Sequence, residues 1–475
     1  MQILSLNVIF VVLFTFLAHS SVILSNTQER NPINMSANLK EVYQANETYN
    51  TINPELYAQY HVKQGLRNEN GTGVKVGLTR ICDVIGYELI DNDKKPIEGE
   101  LIYRGYSVAD LVKLEKSMPT ICGYEITAFL LIFGQLPTPQ QLKEFQYVIK
   151  HHYSNSLVFS NYRTANLLNA MQIEVLKLFG QDQNPENDSL EDRMMKGLVI
   201  LSSLPLFVFS VHHKQKITTY PLPHAGFSEN VLWMARNHQP YSRQEARVLD
   251  VLMMVHADHG GGNNSTFANV VISSTGTDIY SCISAAIGSL KGPKHGGAAQ
   301  KVGSQTAMLL KTISNDATDD QIEALCEKIL DRQAGDRSGL IYGIGHAIYT
   351  KSDPRCQLIK EEVRILAKEK QQESTFQLMA RFEKAAIKTM KKRKGATVCA
   401  NVDFYSGFAY HLLGIDQALY TPLFAISRCA GWIAHHLENR QNNRKLIRPA
   451  NIYIGDHRQL KLDENGCPVL DKMDF

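Results

Sequence analysis

The chain has 475 residues, 44% hydrophobic and 20% charged, ordinary proportions for a soluble globular protein and enough length for roughly two to four domains. A net charge of +3 is too small to make nucleic acid the main partner. Cysteines at 82, 122, 282, 326, 356, 399, 429 and 467 include no Cys-x-x-Cys pair, a pattern that fits reduced, mostly buried thiols better than a disulfide framework or a zinc site.

At the N-terminus, Val8 to Ala18 reads VIFVVLFTFLA. The run is too short to span a bilayer but suits the h-region of a signal peptide, although the basic n-region and the arginines of a transit peptide are both missing. Met35 opens a second plausible start. Residues 1–34 are therefore read as a leader or an upstream extension, and localisation as cytoplasmic or organellar, with a secretory route left open. Sequons at Asn34, Asn46, Asn70, Asn187, Asn263 and Asn264 would matter only in a secreted protein, and the last two fall inside the densest motif of the chain.

Strand-like sequence is confined to Val74–Tyr103, where β-branched runs flank a turn-like Asp91–Pro96. Beyond it the chain reads helical. Thr127–Gly134 ends on a C-cap glycine, and Thr138-Pro139 starts the next helix. Ser242-Arg-Gln-Glu245 is a capping box, followed by Val248, Leu252 and Val255 on one apolar face that ends at His256-Ala-Asp-His259. A helix from about Asp278 to Lys291 carries Ser284, Gly288 and Gly292 along one side, where a second helix could approach closely. Asp353-Pro354 is another cap and first-turn pair. The basic run Lys388–Lys394 reads as a solvated face, with a binding site as the alternative. The fold class expected is all-α with a small N-terminal β-hairpin.

Four segments set unusual polar residues beside glycines in apolar surroundings: His256-Ala-Asp-His-Gly-Gly-Gly-Asn-Asn-Ser265; Gly292-Pro-Lys-His-Gly-Gly297; Tyr342-Gly-Ile-Gly-His346 with Ser352-Asp-Pro-Arg355; and Asn401-Val-Asp-Phe-Tyr-Ser406, with Arg428 and Arg448 further on. Taken singly, each has an ordinary reading. A histidine near a helix end is usually a satisfied structural residue, glycines mark turns, Asp403 can cap a helix, and the arginines can be surface charges. His256 and His259 lack the glutamate and spacing of a zinc protease motif.

Together, in this order and spacing, the segments resemble the citrate synthase family from about Leu66 to Tyr453, closest to its bacterial-type members with an HADHGGGN motif. Glu100-Leu-Ile-Tyr-Arg-Gly105 is similar to the family's N-terminal signature. The resemblance implies a two-domain helical fold, with a large domain over 35–304, a small one over 305–416 and a return to the large domain over 417–475. It implies condensation of oxaloacetate with acetyl-CoA by a triad in which Asp403 is the base, His295 donates to the thioester oxygen and His346 protonates the oxaloacetate carbonyl. His259, Arg355, Arg428 and Arg448 would hold oxaloacetate, the last from the partner subunit of a homodimer with a shared site. Arginine suits that task because its planar fork binds carboxylates bidentately and keeps its charge when buried. Tyr342, Gly343, Ile344, Gly345 and Lys351 would contact CoA, with Lys351 standing near where relatives carry a phosphate-binding arginine.

No metal or tightly bound cofactor is expected, since CoA arrives as a cosubstrate, and no membrane partner is expected for the mature domain. The alternatives are a 2-methylcitrate synthase acting on propionyl-CoA, which one methyl group separates by only about 1–3 kcal/mol, and a non-catalytic family member. A citrate-cleaving lyase would need a nucleotide-binding partner domain, and no P-loop is present.

Overall fold

The computed structural model describes residues 50–469, apart from 152, 154–165, 396, 443–444, 456 and 458–460. The leader, Met35 and the sequons Asn34 and Asn46 lie outside the described residues. The chain divides into two compact units, 1–69 and 70–475. In the first, a short helix α1 (Glu55–Gln59) precedes a 3-10 turn at Gln64–Leu66.

The second unit opens with the hairpin. Strands β1 (Cys82–Ile90) and β2 (Asp93–Tyr103) pair antiparallel with Ile90 opposite Asp93, so the turn is Asp91-Asn92 alone. Both turn residues have positive φ, 52° and 65°, the mirror-image turn whose twist matches the strands. The six-residue turn expected from sequence is thus two residues long. Pro96 sits in β2 opposite Tyr87, beside the register shift between Ile85 and Tyr87, where a missing N–H is tolerated. Val74–Ile81 lie outside the strand. A short β3 (Tyr106–Ser107) completes the sheet in the order β1-β2-β3.

Helices make up nearly everything else: α2 (Val108–Ser117), α3 (Gly123–Phe133), α4 (Pro139–His151), α5 (Leu167–Gln181), α6 (Leu190–His213), α7 (Phe227–Ala235), α8 (Arg243–His256), α9 (Asn264–Ser273), α10 (Ile279–Lys291), α11 (Ala298–Thr312), α12 (Asp319–Leu330), α13 (Pro354–Glu369), α14 (Glu373–Lys394), α15 (Val402–Leu412) and α16 (Tyr420–Gln441), before a small hairpin β4 (Lys461–Leu462) and β5 (Pro468–Val469).

The local signals in the sequence act as expected. Gly134 closes α3 at φ 83°, Thr138 and Gln141 exchange hydrogen bonds at the start of α4, the Ser242/Glu245 box opens α8, and Asp278 and Asp353 cap α10 and α13. On the small-residue side of α10, Gln172 of α5 donates to the Ser284 carbonyl at 3.0 Å. A Cβ on Gly288 would lie 2.6 Å from that same amide nitrogen, so a larger residue there would displace the Gln172 side chain.

The core gathers around α16, which is buried without a break from Tyr420 to Leu437. Among the described residues, α6 is the one helix long and apolar enough to cross a membrane, but 78% of its most apolar stretch is buried inside the protein, so it serves as a core helix. In the basic run Lys388–Arg393, two cations pair with α12 and the residue that follows it: Lys388 with Glu323, and Arg393 with Glu327 and Asp331. Seven cysteines are buried and free, and Cys467 is exposed.

Candidate active site

The loop that follows α8 is fixed before any substrate is considered. Tyr103, at the end of β2, donates its hydroxyl to the Asp258 carbonyl at 2.9 Å and accepts from the Asp258 N–H at 3.2 Å. One oxygen of the Asp258 carboxylate accepts from Gly260 N–H and from His435 Nε2, both at 3.1 Å. Burial pushes this carboxyl up, but His435, Arg428 and Gly260 outweigh it and hold the pKa below the usual value. Gly431 of α16 lets the helix meet this loop, since a Cβ there would lie 2.5 Å from both the Ala257 carbonyl and Asp258.

The loop presents His259, a buried ring whose Nε2 has no hydrogen-bond partner among the described residues. Burial, with Arg355, His346, Arg428 and His295 adding to it, keeps His259 well below the ordinary histidine pKa and therefore neutral. That set of neighbours shows that five of the expected site residues converge. The His259 ring centroid lies 5.2 Å from that of His346, edge to face.

His295 sits in the turn between α10 and α11. Gly296 has no room for a side chain, because a Cβ would fall 2.3 Å from the Leu290 carbonyl. The N–H of Ser265, an unsatisfied donor in the first turn of α9, points at His295 Nε2 from 3.3 Å. Nε2 is therefore the acceptor and the neutral ring carries its proton on Nδ1. Burial and then Arg428 lower the pKa to about 4.

His346 has the opposite tautomer. Its Nδ1 accepts from the N–H groups of Ile348 at 3.0 Å and Tyr349 at 3.1 Å, which leaves the proton on Nε2. Its ring stacks on Tyr349 at 4.9 Å. The segment before it is tied to the one before Asp403: Gly345 N–H donates to Cys399, Asn401 N–H to Gly343, and Asn401 Nδ2 to Gly345, each at 2.8 Å. Gly343, at φ 82°, is pressed against α15, where a Cβ would lie 2.8 Å from Phe404 Cα.

Asp403 stands in the first turn of α15, its N–H held by the Asn401 side chain at 3.0 Å. Burial raises its pKa to about 6; Asp353 adds to the rise, and Arg355 and Arg428 oppose it. Asp353 also organises the neighbouring cation. It accepts from Arg355 Nε at 3.0 Å, Arg355 Nη2 at 2.7 Å and the Val402 N–H at 3.1 Å.

Arg428, fully buried in α16, donates from Nε to the His256 carbonyl at 2.6 Å. Both of its Nη atoms are buried without a partner among the described residues. A buried charged fork left open in this way is costly unless an anion completes it.

Two groups of expected residues stand apart. Arg448 is exposed on the segment after α16. Lys351 is exposed and paired with Glu98 at 2.9 Å. Tyr342 lines a cavity of about 310 Å³ together with Lys301, Gln305 and Leu340. Reasoning from sequence did not single out Tyr103, Asp258, Ser265 or His435, and it read Asp353 only as a helix cap. All but His435 lie within or beside the quoted motifs, but only the fold shows what they touch.

A family model described as citrate synthase, C-terminal domain, matches residues 68–450. The chain is 31% identical over 407 residues to the citrate synthase of Synechocystis sp., covering 83% of this chain and 91% of that one. It is 33% identical over 375 residues to 2-methylcitrate synthase 2 of Corynebacterium glutamicum, covering 77% and 91%. The solved citrate synthase of the archaeon Thermoplasma acidophilum, in a ternary complex with carboxymethyl coenzyme A and oxaloacetate, has the same fold, with a TM-score of 0.70 at 23% identity over 85% of this chain and 99% of that one. The chain is an enzyme of the transferase class. More narrowly, it belongs to the citrate synthase family.

Proposed function

We propose that this enzyme condenses oxaloacetate with acetyl-CoA and hydrolyses citryl-CoA to citrate and CoA, at the entry to the tricarboxylic acid cycle. The observation that carries the reading is the pairing of a raised carboxyl, Asp403, with two neutral imidazole donors of opposite tautomer in one cluster with buried cations. A thioester methyl is a weak acid, so a carboxylate removes its proton only when the enol oxygen is stabilised at once. Asp403 takes the proton and His295 donates from Nδ1 to the thioester oxygen. The enol carbon then attacks the oxaloacetate ketone, whose oxygen receives the Nε2 proton of His346. Hydrolysis of the thioester makes the sequence effectively one-way.

Arg355, Arg428 and His259 bind the dicarboxylate, with the open fork of Arg428 taking one carboxylate. In this reading Arg448 reaches the site of a second copy, so the working unit is a homodimer with shared sites. CoA lies along Tyr342–Gly345, and Lys351 exchanges Glu98 for a phosphate. Closure of the 305–416 region over the remainder would exclude water and seat Asp403 and His346. The chemistry runs on side chains, with no metal or resident cofactor.

A second reading, condensation of propionyl-CoA to 2-methylcitrate, is supported by the named relative of C. glutamicum at comparable identity. Release of free CoA thiol from acetyl-CoA and propionyl-CoA, each with oxaloacetate, tests both: preference for acetyl-CoA supports the first reading, and preference for propionyl-CoA the second.

A further inference from the structure

We infer that Gln305 is a positioning residue for His346, acting through the backbone of Tyr342; the inference rests on the reading of His346 as the proton donor to the ketone. Gln305 is 8% exposed, in the middle of α11. Its Oε1 accepts the Tyr342 N–H at 2.9 Å and its Nε2 donates to the Tyr342 carbonyl at 3.0 Å. The amide thus imitates one rung of a β-ladder, and its two ends cannot be exchanged without facing donor to donor.

The rung matters because of what surrounds it. The next three residues, Gly343 to Gly345, are held on their other side by Cys399–Asn401. Two glycines at φ 82° and 95° would otherwise leave this segment freedom to shift. Gln305 supplies a further hold at Tyr342, so the segment that leads to His346 is tied to both α11 and Cys399–Asn401.

One helical turn earlier, on the same face of α11, Lys301 approaches the Tyr342 ring at 5.7 Å and pairs with Asp336 at 2.9 Å. The Tyr342 hydroxyl donates to that same Asp336 at 2.7 Å. The helix that begins three residues after His295 therefore fixes the approach to His346. Gln305 sets the distance between the donor for the thioester oxygen and the donor for the ketone.

The test compares Gln305→Met, which keeps length and bulk but offers no amide, with Gln305→Glu and with Leu309→Ala, a buried change one turn further along α11 that only destabilises. Activity is measured per folded site, and hydrogen exchange is followed in a peptide covering 340–348. The expected result for Gln305→Met is a fall in kcat of about tenfold to a hundredfold, the scale of a small misplacement of a reacting group, with KM for oxaloacetate within about twofold, alongside faster exchange in that peptide. Gln305→Glu, which can donate to the carbonyl only when protonated, should regain activity relative to the parent enzyme as pH falls towards about 6. Leu309→Ala should leave kcat per folded site unchanged. A Gln305→Met enzyme with kcat within twofold of the parent would overturn the inference. If the parent releases no thiol, the reading of the reaction fails instead, and the clamp is then judged by exchange alone: unchanged exchange at 340–348 in Gln305→Met overturns it, and faster exchange there supports it.

Discussion

The backbone N–H of Ser265 donates to His295 Nε2 at 3.3 Å, and this contact decides which nitrogen of the neutral imidazole keeps the proton. With Nε2 occupied and the pKa lowered to about 4, the ring is a neutral Nδ1 donor across the physiological range. Replacement of His295 by alanine removes one stabilising donor, a loss of about 10²- to 10³-fold in kcat, with oxaloacetate binding little changed. Calorimetric titration of oxaloacetate beside steady-state kinetics separates the two effects.

Asp403, with its pKa at about 6, must be ionised to act as a base. Activity should therefore rise with pH through about 6 and level off above it. Because the folded-state pKa is raised above the unfolded value, ionisation costs stability that grows as pH climbs from about 4 to 6. Asp403→Asn removes that cost. It should lower kcat by orders of magnitude, leave oxaloacetate binding nearly intact, and raise the unfolding temperature at pH 7 but not at pH 3.5. Thermal unfolding at the two pH values checks the sign.

Arg428 has both Nη atoms buried and unpartnered. Arg428→Met should abolish oxaloacetate binding. It removes an open buried fork but also the charge that helps hold Asp258 ionised and the hydrogen bond to the His256 carbonyl, so it should not stabilise the unliganded enzyme. In the parent, saturating oxaloacetate should raise the unfolding temperature, and in the variant that shift should vanish. Differential scanning fluorimetry with and without oxaloacetate measures both.

Asp353 holds Arg355 and the Val402 N–H at once. Asp353→Ala leaves Arg355 buried and unpaired, a loss of about 3–5 kcal/mol, and it frees the start of α15 one residue before Asp403. Both denaturant stability and kcat should fall. A variant that lost stability alone would limit Asp353 to the fold.

Arg448 is exposed in the single chain. Arg448→Ala should weaken oxaloacetate binding, and mixed dimers of Arg448→Ala with Asp403→Asn should regain part of the activity that neither homodimer has. Failure of complementation would place Arg448 outside a shared site.

Much of this was legible in the sequence, because caps and turns are local. Asp278, Asp353, Gly134 and the Ser242/Glu245 box announce themselves within four residues. The candidate site was legible as motifs, since unusual polar residues beside glycines are rare inside apolar helices. The rest depends on contacts distant in sequence. Asp258 meets His435 across 177 positions and Gln305 meets Tyr342 across 37, and no local pattern foretells either. The hairpin turn was misjudged because Lys94, Lys95 and Pro96 have loop-like composition yet pair in β2, where cross-strand contacts outweigh their weak strand preference.

The central claim is tested most directly by mixing the purified enzyme with oxaloacetate and acetyl-CoA and following free CoA thiol, with propionyl-CoA run in parallel. Rapid release that depends on oxaloacetate and favours acetyl-CoA is the predicted result. No release with either thioester, from protein shown to be folded, would contradict the account.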